Sequence, residues 1–175
     1  MNYDEWIETV PMDLRGDPLW NMEIYQLAVL MGDLAWSDLS KLVTDRRTRS
    51  LADQLYRAIG SIAANIAEGY SRRSGKDQAR FYEYALGSAR EARGWYYQGK
   101  GVLHTEIVTH RLQLLTRIIR LLLKIIPRER GFKLQEPETA YTPAQTLLSH
   151  IPLVNANPTD HATRTTKSSS QPNDS

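Results

Sequence analysis

The side chains that could perform acid–base or metal chemistry in this sequence are few. Glu68 and Glu91 are the only candidate carboxylate pair for general acid–base catalysis. Glu106 and His110 are four residues apart, whereas di-iron carboxylate bundles use a Glu-x-x-His spacing on two helices. The sequence has no cysteine, no glycine-rich phosphate loop and no Gly-x-Ser-x-Gly nucleophile turn. We therefore interpret the carboxylate pair as structural and expect no catalytic residue, no metal site and no cofactor.

The more numerous chemically useful groups are cations, which recur at helical spacing in the middle of the chain. Arg and Lys at steps of three and four can neutralise phosphates along a helix face without reading a base sequence. Tyr96 and Tyr97 lie in the same region and could stack on unpaired bases, although helical tyrosines also serve in packing. The predicted nucleic-acid-binding residues are Arg72, Arg73, Lys76, Arg80, Arg90, Arg93, Lys100, Arg117, Arg120 and Lys124.

The charge of the chain is distributed unevenly. Residues 1–40 hold eight acidic and one basic side chain, whereas residues 41–133 hold eight acidic and nineteen basic ones. Residues 134–175 hold four acidic and two basic side chains. The net charge of +2 therefore conceals a basic middle. This pattern is typical of a surface that binds a polyanion, and solvated charge on long helices is the alternative.

Small and polar residues gather in the stretch SIAANIAEGYSRRSGKDQARFYEYALGSAREA, residues 61–92. Glycine inside a helix costs about 1 kcal/mol relative to alanine, so Gly60 and Gly87 are expected where a neighbouring backbone comes close. The stretch thus predicts tight packing of two helices. Polar side chains along that seam would need partners, which predicts a hydrogen-bonded cluster, with carboxylates that point into water as the alternative. The predicted cluster comprises Asn65, Glu68, Ser88 and Glu91.

Four helical stretches position these residues, and no run shows a convincing strand alternation. The first stretch follows Asp17 and Pro18, a typical N-cap and first-turn pair. The second ends near Gly69, a residue suited to a left-handed helix cap.

The other two helices have equally clear boundaries. Ser74, with Asp77 three residues later, resembles a capping box that opens the third helix, which ends near Lys100. Thr105 is suited to open the fourth helix, and Pro127 lies at its end.

Short connections between the helices predict an all-α fold, an antiparallel up-down-up-down four-helix bundle over residues 18–131. Between Ile107 and Ile126, twelve of twenty residues are apolar. A surface helix shows an apolar stripe of only about 100°. The excess predicts a second buried face and hence an oligomer, with a central, fully wrapped helix as the alternative.

The two ends of the chain differ from the bundle. Residues 1–17 are an acidic extension that lacks the basic and apolar segments of a secretion signal. Residues 132–175 form a Pro/Ser/Thr-rich tail that is predicted to be largely disordered. The apolar run IIRLLLKIIP is interrupted by Arg120 and Lys124, so we expect no membrane span and a soluble, cytoplasmic protein. The tail residues that could dock on the bundle or on a partner are Leu147, Leu148, Ile151 and Leu153.

The stretches SIAANIAEGYSRRS and RFYEYALGSAREA resemble the four-helix bundle family of 23S rRNA intervening-sequence proteins. That family includes the accessory variability determinant (Avd) of diversity-generating retroelements. Its pattern is Ser-Ile-x-x-Asn-Ile-x-Glu-Gly, followed by Arg-Phe and then Gly-Ser-x-x-Glu. The resemblance covers roughly residues 18–130. The matching positions are Ser61, Ile62, Asn65, Ile66, Glu68, Gly69, Arg80, Phe81, Gly87, Ser88 and Glu91.

The resemblance implies an antiparallel four-helix bundle that assembles into a homopentameric barrel. It also implies a basic surface for nucleic acid and a reverse transcriptase as a partner, as in the retroelement accessory protein. The leading hypothesis is therefore a non-catalytic scaffold that binds RNA or DNA. A protein–protein adaptor that gathers partners through its tails is the second hypothesis. An enzyme, which a bound metal would indicate, is the third.

Overall fold

A computed structural model of the protein describes residues 3–131, which contain six α-helices, two short 3₁₀ turns and no strand. The predicted all-α class is thus confirmed for these residues. The predicted tail, residues 132–175, lies outside them, including Leu147, Leu148, Ile151 and Leu153. The α-helices are α1 Tyr3–Thr9, α2 Met12–Arg15, α3 Glu23–Leu42, α4 Arg49–Tyr70, α5 Gly75–Gln98 and α6 Thr105–Glu129. The 3₁₀ turns are Pro18–Asn21 and Gly99–Gly101.

Two of the predicted caps are present, although one opens a different element. The Asp17 carboxylate accepts a hydrogen bond from the backbone N–H of Leu19 at 2.8 Å, but this cap begins a 3₁₀ turn, and α3 starts only at Glu23. Ser74 Oγ accepts from the backbone N–H of Asp77 at 3.1 Å and donates to its carboxylate at 2.8 Å. A capping box therefore begins α5, as the sequence predicts.

Four long helices enclose one hydrophobic core. Helix α4 packs on α3 and α5, and α6 packs on α5 and α3. Gly69, near the end of α4, lies against Tyr82 near the start of α5, whereas Ser61, earlier in α4, lies against Ser88, later in α5. These two helices are therefore antiparallel. Residues buried at the centre include Leu27, Leu55, Ile62, Leu115 and Ile118.

The apolar surface of α6 is mostly used within the chain. Eight of its twelve apolar residues between Ile107 and Ile126 are buried, and three more pack partly buried against the core. Only Leu123 is exposed, at 44%. The wrapped-helix alternative thus accounts for the width of this stripe, so the width itself does not support an oligomer.

Gly60 and Gly87 are not the residues that bring α4 and α5 together, and that prediction was wrong. Both glycines are exposed, and a Cβ atom built on either would meet nothing within 4 Å. They lie on outer helix faces, because spacing alone does not tell which face of a helix is covered. The fully buried small residues of α5 are instead Ala79, Ala85, Ala89 and Ala92.

Gly69 is the glycine at which the two helices approach closely. It was predicted to be a left-handed cap, but α4 continues to Tyr70, and the capping residue Ser71 is right-handed, with φ of −76°. A Cβ atom on Gly69 would lie 2.7 Å from Cε1 of Tyr82 and 3.2 Å from the carbonyl oxygen of Gln78. Glycine is therefore required here for space and not for backbone freedom.

We expect Gly69→Ala to lower the free energy of unfolding by about 1–3 kcal/mol, because the added methyl group overlaps the Tyr82 ring. Gly87→Ala is the matched control in α5. Its methyl group has open space and relieves the entropic cost of a helical glycine, so we expect a gain of about 0.5–1 kcal/mol. Urea denaturation of both variants measures the difference. Equal effects would contradict the close approach at Gly69.

The amino-terminal segment packs on the core instead of extending from it. Trp6 in α1 is 2% exposed, and its Nε1 donates to the carboxylate of Asp33 in α3 at 2.8 Å. The Trp6 ring lies 6.0 Å from that of Trp20, and the Tyr3 hydroxyl donates to Gln26 Oε1 at 2.7 Å. The sequence analysis treated residues 1–17 as an extension because of their acidic charge. Charge alone does not show that Trp6 is buried against the core.

The free energy of unfolding should fall at alkaline pH because of Tyr3 in α1. Burial, with the carboxylates of Glu23 and Asp4, raises the pKa of Tyr3 to about 12. Between pH 10 and 12 the unfolded chain releases this proton while the folded chain retains it, so stability present below pH 10 is lost as the pH rises to 12. We expect Tyr3→Phe, which cannot ionise, to lose less stability over this interval. Urea denaturation at stepped pH measures it, and identical pH profiles would contradict the assignment.

Candidate nucleic-acid interface

Four of the predicted phosphate-binding residues surround the connection between α4 and α5. Arg72, Arg73, Lys76 and Arg80 are all exposed. The Ser74 cap and a hydrogen bond from Gln78 Nε2 to the backbone carbonyl of Arg72 hold this connection in shape. Its cations are therefore presented from a structured turn.

Two aromatic rings lie among these cations. The Arg72 guanidinium lies 4.8 Å from the centroid of the Phe81 ring, and that of Arg80 lies 5.7 Å from the centroid of Tyr84. Arg80 Nε donates to the Tyr84 hydroxyl at 2.8 Å. The Phe81 and Tyr84 rings meet edge to face at 5.9 Å. We name as the basic–aromatic corner the residues Arg72, Arg73, Lys76, Arg80, Phe81 and Tyr84.

A second group of predicted cations lies where α5 faces α6. Arg93 Nη1 is 3.4 Å from Thr116 Oγ1, so these two residues stand at the same level. Arg90 precedes Arg93 by about one turn, and Arg120 follows Thr116 by about one turn. Glu83, near the start of α5, pairs with Arg130, just after the end of α6, so the two helices are antiparallel. Arg90 and Arg120 therefore lie at the same level of this face. Lys124 is exposed one turn further along α6.

Arg117 and Lys100 do not belong to either group. The Arg117 side chain is 12% exposed and donates to the Glu23 carboxylate of α3 at 2.7 Å, so we correct the predicted set by removing it. Lys100 lies in the turn after α5, at the end opposite to the basic–aromatic corner. Its ammonium group donates to the Tyr97 hydroxyl at 3.0 Å and lies 4.1 Å from the centroid of that ring.

A buried charged network, which the sequence analysis missed, joins α3, α5 and α6. Arg111 Nε donates to Asp38 Oδ2 at 2.8 Å, and the Tyr96 hydroxyl donates to the same oxygen at 2.9 Å. Arg111 Nη1 is 2.8 Å from His110 Nδ1. Asp38 is 1% exposed, Arg111 2% and Tyr96 0%, so the suggestion that Tyr96 stacks on bases was wrong. Burial and the Asp38 carboxylate raise the pKa of Tyr96 well above its usual value, which keeps its hydroxyl a neutral donor.

Comparison with known proteins decides the family. Residues 20–135 match the sequence model of the family described as 23S rRNA-intervening sequence protein. The chain belongs to this family. No curated protein matches it. A crystal structure from the S23 ribosomal protein family, of a protein with unknown function from Bacteroides thetaiotaomicron, is similar in fold. The TM-score is 0.55 and the identity 23%, over 59% of this chain and 97% of that one.

The 23S rRNA-intervening sequence protein match covers α3 to α6 and leaves α1 and α2 outside it. The family prediction is therefore confirmed over the segment that holds both groups of cations. Membership in the retroelement accessory group stays a prediction.

The polar residues of the family pattern have a structural role between α4 and α5. Asn65 Nδ2 donates to the backbone carbonyl of Ser61 at 2.8 Å and to its hydroxyl at 2.9 Å. Ser88 Oγ donates to Ser61 Oγ at 3.0 Å. Asn65 and Ser88 thus belong to one cluster, as predicted, but they meet through Ser61, which the prediction left out.

The two carboxylates of the predicted cluster lie outside it. Glu68 forms an ion pair with Arg72, four residues later in the connection after α4, and Glu91 accepts a hydrogen bond from Trp95 Nε1 at 3.1 Å. Both are exposed, as the alternative of carboxylates in water predicts. Each carboxylate therefore pairs with a side chain four residues later in the chain, and the two carboxylates do not interact with each other.

Among residues 3–131, no three His, Asp or Glu side chains are grouped so that they could hold a metal ion. None of the helices formed by these residues combines the length and hydropathy that crossing a bilayer requires.

Proposed function

We propose that this 23S rRNA-intervening sequence protein is a non-catalytic scaffold that binds RNA or DNA, and that a reverse transcriptase is its protein partner. The observation that carries the nucleic-acid part is the set of exposed cations at the basic–aromatic corner and on the α5–α6 face. Within the described part of the chain, no ion pair involves Arg73, Lys76, Arg90 or Arg120. Such cations release condensed counterions when they meet phosphates. The choice of partner rests on the resemblance to the retroelement accessory protein.

The test is the binding of a fluorescent structured RNA, and of a matched DNA duplex, at about 50 and 200 mM salt. If four phosphates are neutralised, the affinity should fall roughly 100-fold between these concentrations. Absence of binding at the lower salt, or an affinity that ignores salt, would contradict the proposal. A protein that assembles but binds neither nucleic acid would favour the adaptor function instead.

We further propose that α3 to α6 form an antiparallel four-helix bundle and that five copies assemble into a ring. A groove of about 460 Å³ between α3 and α4 supports an interface, because its rim carries Trp36, 70% exposed, and Tyr56, 58% exposed. Exposed apolar patches of this kind mark interaction sites. Leu123 of α6, 44% exposed, is an apolar side chain on another helix that such a groove can receive. A contact of the α3–α4 groove with α6 of the next copy is head-to-tail, and such contacts form a ring when the rotation between successive copies closes.

Light scattering tests this assembly. We expect Trp36→Ser to shift the protein toward monomer, because it removes the largest exposed apolar side chain of the groove. Tyr97→Ser, at a tyrosine 56% exposed on α5, is the control that should leave the mass unchanged. A wild-type monomer, or equal masses for all three proteins, would contradict the groove as the interface.

A further inference from the structure

We propose that the basic–aromatic corner binds an unpaired stretch of the nucleic acid, with a base stacked on Tyr84 and the adjoining phosphates on the surrounding cations. This inference rests on the proposed function and adds to it the form of the ligand, a single strand. Three features of the corner carry it.

The first feature is an accessible aromatic surface. Tyr84 is 47% exposed, and Phe81 braces it edge to face at 5.9 Å. Every nucleobase has a face that can stack on such a ring. In a duplex those faces are already stacked on neighbouring bases, so the ring selects for unpaired nucleotides.

The second feature is the number of cations around the rings. Arg80 is bonded to the Tyr84 hydroxyl, and Arg72 lies over Phe81. Arg73 is exposed in the connection between α4 and α5, and Lys76 is exposed in the first turn of α5. A phosphate that adjoins a base stacked on Tyr84 therefore has Arg80 beside the ring and further exposed cations in the same corner, which is the combination that single-strand binding surfaces use.

The third feature is that contacts within the chain hold the turn in one conformation. Gln78 Nε2 donates to the backbone carbonyl of Arg72 at 2.8 Å. Gly75 lies so close to the end of α6 that a Cβ atom on it would overlap the carbonyl oxygen of Glu129. A preformed surface loses little conformational freedom on binding, so weak contacts contribute more of their energy to affinity.

The test compares a fluorescein-labelled single strand of about 20 nucleotides, long enough to exceed one typical site, with the corresponding duplex. We expect Tyr84→Ala to weaken single-strand binding about 5- to 100-fold and to change duplex binding less than about twofold, because stacking is lost and the cations remain. Tyr84→Phe keeps the ring and should retain most of the affinity. Tyr97→Ala is the matched control, since Tyr97 is also exposed and carries one cation over its ring but lies at the far end of α5. Circular dichroism and thermal melting verify that each variant is folded.

The outcomes separate this inference from the proposed function. Loss of single-strand binding in Tyr84→Ala, with rescue in Tyr84→Phe, supports the inference. Unchanged single-strand binding in Tyr84→Ala, or an equal loss in Tyr97→Ala, overturns the inference. In that case, salt-dependent binding by the wild type still supports the proposed function. Absence of binding to either ligand by the wild type overturns both.

Discussion

Replacing Asp38 with asparagine should lower the free energy of unfolding by about 3–5 kcal/mol, a large part of the 5–15 kcal/mol typical of a domain. Arg111 is 2% exposed and loses its only carboxylate partner among the described residues, so its charge stays buried without compensation. Urea denaturation followed by circular dichroism measures the loss. The free energy should fall without a change in the fold of the surviving native state.

The control for this variant removes both charges together. Asp38→Leu combined with Arg111→Met leaves no buried ion, and we expect it to be more stable than Asp38→Asn. Tyr96→Phe removes one hydrogen bond to the same carboxylate, which costs about 1 kcal/mol. If the double variant were as unstable as the single one, packing volume and not the buried charge would be the reason.

Reversing the charge of Arg73 and Lys76 should lower nucleic-acid affinity at least about 100-fold at 50 mM salt, because two phosphate contacts become repulsive. The slope of log affinity against log salt should become shallower by about 2, since each contact contributes about 0.9. Arg90→Glu with Arg120→Glu applies the same test to the α5–α6 face. Fluorescence anisotropy across a salt series measures both quantities.

A charge-matched control lies at the other end of α4. Arg46→Glu with Arg47→Glu changes the net charge by the same amount on exposed residues of the α3–α4 connection. We expect a much smaller loss of affinity and an unchanged salt slope. Equal losses in both double variants would mean that nucleic acid responds to the overall charge of the protein and not to a local surface.

Local patterns predicted the helices better than they predicted the surfaces. The Ser74 cap depends on residues three apart, so it could be found from sequence, and the all-α class followed from apolar spacing. The prediction that Gly60 and Gly87 lie at a close helix contact was wrong, because small residues have the same spacing on a buried and on an exposed helix face. Arg117 was predicted to bind phosphate because its spacing does not reveal that it pairs with Glu23, which lies 94 residues away in the chain.

The buried network left a signal that could have been used. Asp38 stands four residues after Leu34 and four before Leu42, and Arg111 stands four before Leu115. A charge at the centre of an apolar stripe indicates a buried partner of opposite sign, because an isolated charge in the core is too costly. The pairing itself could not be read, because Asp38 and Arg111 are 73 residues apart.

That network also determines how α3 and α6 are aligned along their length. Apolar side chains can exchange neighbours when one helix slides past another by a turn, about 5.4 Å, since leucine packs almost equally well against several partners. The same slide would carry the Arg111 guanidinium away from Asp38 and leave two opposite charges stranded in the core. The salt bridge between Asp38 and Arg111 therefore favours a single register of α6 along α3. Through it, the height of Arg120 relative to the other helices is set by a residue that never reaches the surface.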